Sequence, residues 1–198
     1  KLKTKGLGLT NLIRASAQIE GIQRIQFTTS HPFEFGQDLI DIYLEVPELI
    51  SYVHLPVQSG SNSILEKMRR RHTRDEYLEI IDKLKTVREG ISISSDFIVG
   101  FPGENDDLFL ESMDFIDNLN ISYLHVFTYS ERDDTEAALM PNIVPKNIRN
   151  QRSKMLRSLS KKKSRAFYNS QLKSNRIVLY ESENKYGYIH GYTDNYVK

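Results

Sequence analysis

The sequence predicts an α/β protein built on parallel strands, and three observations carry that prediction. Short apolar strands alternate with amphipathic helices through the first 140 residues. The helix starts carry capping residues where caps belong. One set of strand ends is rich in hydroxyls, amides and glycine, whereas the opposite ends are plain. Strand–helix alternation of this kind implies right-handed crossovers between parallel strands, hence an α/β sheet or barrel.

In chain order, the opening "KLKTKGLGLTNLIRASAQIEGIQ" reads as the tail of an earlier loop and helix. "RIQFTTS" (24–30) reads as a strand and "GQDLIDIYLEV" (36–46) as an amphipathic helix. "YVHLPVQ" (52–58) is the next strand, followed by helices over "SNSILEKMRR" (61–70) and "TRDEYLEIIDKLKTV" (73–87). Ser61, Thr73 and Asn105 stand at N-cap positions, with Glu76 three residues after Thr73 as a capping box. "ISISSDFIV" (91–99) is a strand, "NDDLFLESMDFIDNL" (105–119) a helix and "ISYLHVFTYS" (121–130) a strand. From Pro141 the texture changes. One long helix follows Pro145, with apolar Ile148, Met155, Leu156, Leu159 and Phe167. "RIVLYESENKYGYIHGYTDNYVK" then alternates as a hairpin or meander, turning near Glu183–Lys185 and Gly191. The expected division is 1–140, a basic connecting helix over 141–173, and a β segment over 174–198.

Composition narrows the chemistry. The chain of 198 residues has no cysteine, which removes disulfides, thiolate zinc sites, cysteine nucleophiles and thiolate-held iron–sulfur clusters from this chain's own repertoire. No apolar run approaches the roughly 18 residues of a membrane span, and a cytoplasmic location is the simplest expectation. The net charge of +1 hides an asymmetry. Residues 1–140 carry 14 Lys and Arg against 23 Asp and Glu, whereas residues 141–180 carry 11 Lys and Arg and no acid. That segment is either a solvated basic face or a surface for an anionic partner, nucleic acid first.

In parallel α/β architectures ligands sit at the carboxyl ends of the strands. Those ends are "TTSHP" (28–32), "PVQSGSN" (56–62), "GFPGE" (100–104) and "TYSER" (128–132). Gly100, Pro102 and Gly103 permit close backbone approach, and the following helix start favours an anion. The pattern is neither a P-loop nor G-x-G-x-x-G, so the turn is structural or ligand-facing. Gln58 can serve a ribose or amino-acid group, or simply brace its turn. Asp96 lies within an apolar strand and must pair with an arginine or face the barrel mouth. Arg69, Arg70 and Arg71 suit a helix C-terminus, with a carboxylate ligand as the alternative. The five histidines show no metal-ligand spacing, and no nucleophile is evident.

"FTTSHPFEF", "HLPVQSGSNSILEKMRRRHTRDEY", "SSDFIVGFPGE" and "YLHVFTYSERDDT" resemble consecutive segments of the radical S-adenosylmethionine (SAM) tRNA methylthiotransferases, and "GYTDNYVK" resembles the start of their RNA-binding TRAM domain. The resemblance implies a partial (β/α) TIM-like barrel holding strands three to six, then the connecting helix, then a truncated all-β TRAM-like segment. It implies SAM and two [4Fe–4S] clusters in the complete protein, whose cysteines are not in this sequence. It also implies a tRNA anticodon stem-loop as partner, together with a sulfur donor and an electron donor, and a methylthio group added to a modified adenosine. The isolated chain is expected to be inactive. Its first half looks like enzymes acting on isopentenyladenosine and its second like those acting on threonylcarbamoyladenosine, with the second type favoured. Family members usually have Gly-Thr where Asp134-Thr135 stands.

By motif, Gln58 and Ser59 would face the ribose and amino-acid end of SAM. Ile98, Val99 and Gly100 would lie against adenine, Ser95 and Asp96 would line the mouth, and Tyr129 and Ser130 would close the adenine side. Arg149, Arg152, Lys161, Lys162, Lys163, Arg165 and Arg176 would meet tRNA phosphates. Tyr180, Tyr186, Tyr188 and Tyr192 would stack on bases or fill the small β domain. Two other classes compete: a non-catalytic tRNA-binding module, and a TIM-barrel-like enzyme holding a phosphorylated metabolite at the glycine turn.

Overall fold

A computed structural model describes residues 8–28, 31–181 and 187–198. The expected strand end at Thr29 and Ser30, the turn at Glu183–Lys185 and Tyr186 lie outside the described residues.

Three parallel strands, β1 (Tyr52–His54), β2 (Ser92–Val99) and β3 (Tyr123–Thr128), form a sheet in the order β1-β2-β3. Helices α1 (Leu9–Ala17), α2 (Gln37–Glu45), α3 (Asn62–Lys67), α4 (Arg74–Val87) and α5 (Asp106–Asn118) occupy the connections, as the alternation predicts. Strand residues alternate between two environments. Val53, Ile93, Phe97, Leu124 and Val126 enter the core with Tyr77, Ile81, Leu84 and Ile116 from the helices. Tyr52, His54, Ser94, Asp96, Ile98, Tyr123 and His125 take the alternate positions and form the other face.

Local chemistry explains the boundaries. Thr73 and Glu76 form the expected capping box, and Asn105 accepts from the Leu108 N–H at 2.9 Å. Ser61 precedes α3 but makes no side-chain cap. The predicted helix over 61–70 ends at Lys67, because Arg69 adopts φ +55° and the chain closes in a Schellman motif. Arg70 N donates to Leu65 O and Arg69 N to Glu66 O. Of the strand predicted over 24–30, the described residues 24–28 form a parallel bridge between Ile25 and Leu49, with Ile25 N donating to the Glu48 carbonyl and the Ile25 carbonyl accepting from Ile50 N.

Helix α6 (Lys146–Ser170) lies along β3, with Leu156 and Leu159 in the core. Ser160 Oγ accepts from the Leu124 N–H and donates to the Leu124 carbonyl, at 2.8 and 2.9 Å, and Arg157 donates to the Val126 carbonyl at 3.2 Å. The helix thereby covers an edge of backbone groups that would otherwise be open for pairing. Two buried arginines fasten its first turns. Arg152 donates to Glu104 Oε1 and to Asp106 Oδ1, both at 2.7 Å, and Glu104 Oε1 also accepts the Gly100 N–H at 2.9 Å. Arg149 reaches the carbonyls of Val144 and Tyr129 and the carboxylate of Glu131. Burial pushes the Glu104 carboxyl above its usual range, while the Gly100 N–H and Arg152 pull the other way.

The C-terminal hairpin pairs β4 (Val178–Tyr180) with β5 (Gly191–Thr193) in antiparallel register. It docks at the amino ends of the sheet strands. Tyr196 stacks between Tyr192 and Tyr52, with ring centroids 4.8 and 4.4 Å away, and Asn195 donates to the Gly90 carbonyl.

The clamp predicts an outcome. Arg152→Ala leaves Glu104 buried without its cation, so urea unfolding should show a loss of about 3–5 kcal/mol. Lys161→Ala, on the exposed face of the same helix, should stay within about 0.5 kcal/mol. A loss under about 1 kcal/mol for Arg152→Ala would show that the pair does not secure α6. A second expectation concerns His72, which is buried between His31 and Tyr77. Burial, then the neighbouring His31, hold its pKa down at about 4. The unfolded chain takes up this proton near pH 6.5 while the folded chain does not. Its stability contribution is therefore full above about pH 6.5 and drains as pH falls towards 4. His72→Gln should flatten the urea midpoint over that window relative to wild type, and an unchanged slope would refute the assignment.

Candidate functional site

The chemistry-bearing side chains gather on the exposed face of the sheet and at the carboxyl ends of its strands. Asp96 and His125 are register partners on β2 and β3, and His54 sits beside Ser94 on β1. His54 Nε2 lies 3.4 Å from Asp96 Oδ2, and its Nδ1 lies 2.8 Å from Ser94 Oγ. Ser94 is hydrogen-bonded in turn to the Tyr52 hydroxyl, which meets that of Tyr123 at 3.1 Å. Burial lowers the pKa of the half-buried Arg70, and the Asp96 carboxylate acts on it in the opposite direction. Asp96 therefore faces the open side of the sheet, with the His54 imidazole beside it.

One layer higher, β1 continues as a bridge at Gln58, whose backbone pairs with Asp96 and Ile98. Gln58 holds φ +75°, a left-handed backbone that a non-glycine residue seldom adopts. Its backbone is bonded on both sides, and its amide makes no hydrogen bond among the described residues. Ile98 is half-buried beside a cleft of about 240 Å³ shared with Met68, Arg70, Phe101 and Met140. A cavity of about 690 Å³ lies at the opposite ends of the strands, between Ile22–Arg24 and Pro47–Ile50 on one side and the hairpin on the other. It is a seam between segments, and of the candidate residues Arg176 lines it, paired there with Asp194.

The expected site residues thus separate into two groups. Gln58, Asp96 and Ile98 share the open face and its upper rim. Ser95 does not join them: it faces the helices, fully buried, accepting from the Val57 N–H at 3.0 Å and from the Tyr77 hydroxyl. The strict alternation of β2 is the physical reason, since neighbours of Asp96 must point away. The Val99 side chain lies in the core by the same rule, and its carbonyl accepts the Tyr129 N–H. Ser59 is also fully buried, its Oγ accepting from Ser61 N. Ser130 is exposed; Tyr129 packs edge-on against Phe101, and its hydroxyl is buried without a partner among the described residues.

The glycine turn has a different cause from the one expected. Gly100 and Gly103 hold φ +76° and +85°, and added Cβ atoms would strike Arg149 and Lys67. The close approach at Gly100 is made by this chain's own arginine. The start of α5 carries its own Asn105 cap and Asp106 and Asp107. Two carboxylates repel the phosphate that the metabolite-enzyme alternative required.

The basic segment divides similarly. Arg149 and Arg152 are only 3% and 5% exposed and are consumed in the clamp, so they cannot meet phosphates. Lys163 is half-buried and donates to the carbonyls of Asp117 and Leu119, and Arg176 pairs with Asp194. Lys161, Lys162 and Arg165 stay exposed along one groove of α6. Tyr180 and Tyr188 are exposed, whereas Tyr192 belongs to the tyrosine stack. Sequence reading missed His54 and His125. Their only signal was a shared strand parity with Asp96, which needs the register to be seen.

Comparison with known proteins places this geometry. Residues 5–116 match the family model described as the Radical SAM superfamily. The tRNA-2-methylthio-N(6)-dimethylallyladenosine synthase of Histophilus somni is 47% identical over 174 residues, 88% of this chain and 37% of that protein. The synthase of the same name from Baumannia cicadellinicola is 46% identical over 186 residues, 93% of this chain and 41% of that protein. The chain thus spans about two fifths of the length of the curated relatives it matches. Among solved structures, coproporphyrinogen III oxidase from Escherichia coli, titled a radical SAM enzyme, superposes with a TM-score of 0.50 at 15% identity. It covers 71% of this chain and 31% of its own, a likeness of fold. The chain belongs to the radical SAM superfamily, and its sequence kinship within it is with the tRNA methylthiotransferases.

Proposed function

We propose that this chain is the part of a radical-SAM tRNA methylthiotransferase that supplies one wall of the SAM pocket and a basic surface for tRNA, with N6-dimethylallyladenosine (isopentenyladenosine) as the modified base. The observation that carries this reading is the kinship along 88–93% of the chain with synthases of that name. It turns the sequence-based preference for the threonylcarbamoyl base towards the isopentenyl one. A cytoplasmic location, an anticodon stem-loop as the bound element, and separate sulfur and electron donors belong to the same proposal. No helix among the described residues is long and apolar enough to cross a membrane.

The residues present fit SAM. The Gln58 amide has no hydrogen-bond partner among the described residues and can donate to and accept from a ribose or amino-acid group. Ile98 offers a half-buried apolar contact for a purine face, and the Tyr129 hydroxyl is a buried polar atom lacking a partner among the described residues. Bound SAM would supply radical and methyl-transfer chemistry; the chain's own residues orient it and exclude water at Ile98 and Phe101. Thiolate-held clusters do not fit this cysteine-free chain, and its residues carry none of their chemistry.

The deciding experiment is mass spectrometry of tRNA nucleosides from cells that carry or lack the complete gene. The expected product is the 2-methylthio form of dimethylallyladenosine. Its absence, or a methylthio group on threonylcarbamoyladenosine instead, would overturn the assignment. Binding of an anticodon stem-loop should weaken with salt. Replacing Lys161 and Arg165 by alanine should flatten the log K against log salt slope by about 0.7–0.9 per lost phosphate contact. An unchanged slope would remove this face of α6 from the tRNA surface.

A further inference from the structure

We propose that His54, Asp96 and His125 form a binding site for a divalent transition-metal ion on the open face of the sheet, below the Gln58–Ile98 rim. One donor atom from each of the three residues lies within 4.8 Å of the other two. They come from three adjacent parallel strands, so the sheet itself fixes their spacing. Two imidazoles and one carboxylate form a donor set that suits Zn²⁺, Co²⁺ or Ni²⁺ and is poor for Mg²⁺ or Ca²⁺, which take oxygen ligands.

Metal bonds of about 2 Å put neighbouring donors about 3.3 Å apart in a tetrahedral shell. His54 Nε2 and Asp96 Oδ2, at 3.4 Å, already satisfy this. His125 is exposed, with its ring 5.8 Å from that of His54 and edge-on to Tyr123 at 5.1 Å, and a side-chain rotation would close the remaining distance from its donor atom, already within 4.8 Å of the other two. Ser94 Oγ fixes the His54 ring through Nδ1 and is itself held by the Tyr52 hydroxyl. A ligand imidazole whose other nitrogen is held in this way is the usual outer-shell arrangement of a metal site. Three protein ligands leave a fourth position open to water or another small donor. The inference rests on these side chains alone and is independent of the tRNA reading.

The test is titration of the metal-stripped 198-residue chain with Co²⁺, followed by visible absorption, and with Zn²⁺, followed by calorimetry. One ion per chain is expected. His125→Ala and Asp96→Asn should each weaken binding about tenfold or more, Ser94→Ala about 10–100-fold, and His190→Ala should leave it unchanged. Circular dichroism establishes that each variant is folded. If Asp96→Asn is not folded, His125→Ala decides, because its side chain lies outside the core. Absence of saturable binding, wild-type affinity in folded His125→Ala, or loss of the signal in His190→Ala would each overturn the site.

Discussion

The register of β2 between β1 and β3 is the constraint on which the rest of the molecule depends. Because side chains alternate along a strand, Ile93, Ser95, Phe97 and Val99 must share one face and Ser94, Asp96 and Ile98 the other. A slip of one residue would bury Asp96 among Tyr77, Ile81 and Leu84 and expose Phe97. Apolar burial under α4 and α5 thus fixes the orientation of residues that contribute nothing to the core. Asp96 stands beside His54 and His125 because Phe97, its neighbour in sequence, is held beneath the helices.

A second constraint acts at the carboxyl end of β2. The turn from Val99 to Asn105 reverses direction through two left-handed glycines, and Glu104 folds back onto the Gly100 N–H. The same carboxylate takes Arg152 from α6, and Arg149 crosses Gly100 on its way to Tyr129 and Glu131. A glycine is required at position 100 both for φ and for the space that arginine occupies. Strand end, turn and α6 consequently form one unit. Ile98, the rim residue next to the turn, inherits its position from a salt bridge on the far side of the strand.

Much of this was legible in the chain, and the failures share a cause. The alternation from Tyr52 onwards, the capping box at Thr73 and Glu76, and the cap at Asn105 are local patterns and form where those patterns lie, whereas the described residues of the strand expected over 24–30 form only a bridge. The boundary at Lys67 was missed because Arg69 takes the left-handed position usually given to glycine. The site residues were half legible: strand ends could be recognised, but the facing of each residue could not. Ser95 and Asp96 are adjacent and equally polar, and only the register assigns one to Tyr77 and the other to the open face. His54 and His125, 71 positions apart, acquire a common neighbour through pairing alone.

The charge asymmetry shows how a count and a field differ. Residues 141–180 hold 11 basic side chains and no acid, which suggests a broad cationic surface. The folded chain spends Arg152 on the buried Glu104 and Arg149 on Glu131 and two backbone carbonyls, and turns Lys163 and Arg157 onto backbone carbonyls of the sheet and its flanking loop. Lys162 pairs with Asp117 at the surface, where such a contact is worth little and yields to a stronger anion. Lys146, Lys154 and Arg157 remain exposed along α6, and towards its end Lys161, Lys162 and Arg165 form a short stripe beside the acidic α5. A stripe flanked by its own carboxylates attracts a polyanion only where phosphates align with it, since a displaced backbone meets Asp117 and Asp114 instead. The acidic flank therefore restricts orientation more than it reduces attraction, and the arginines that anchor α6 set the direction in which the stripe points.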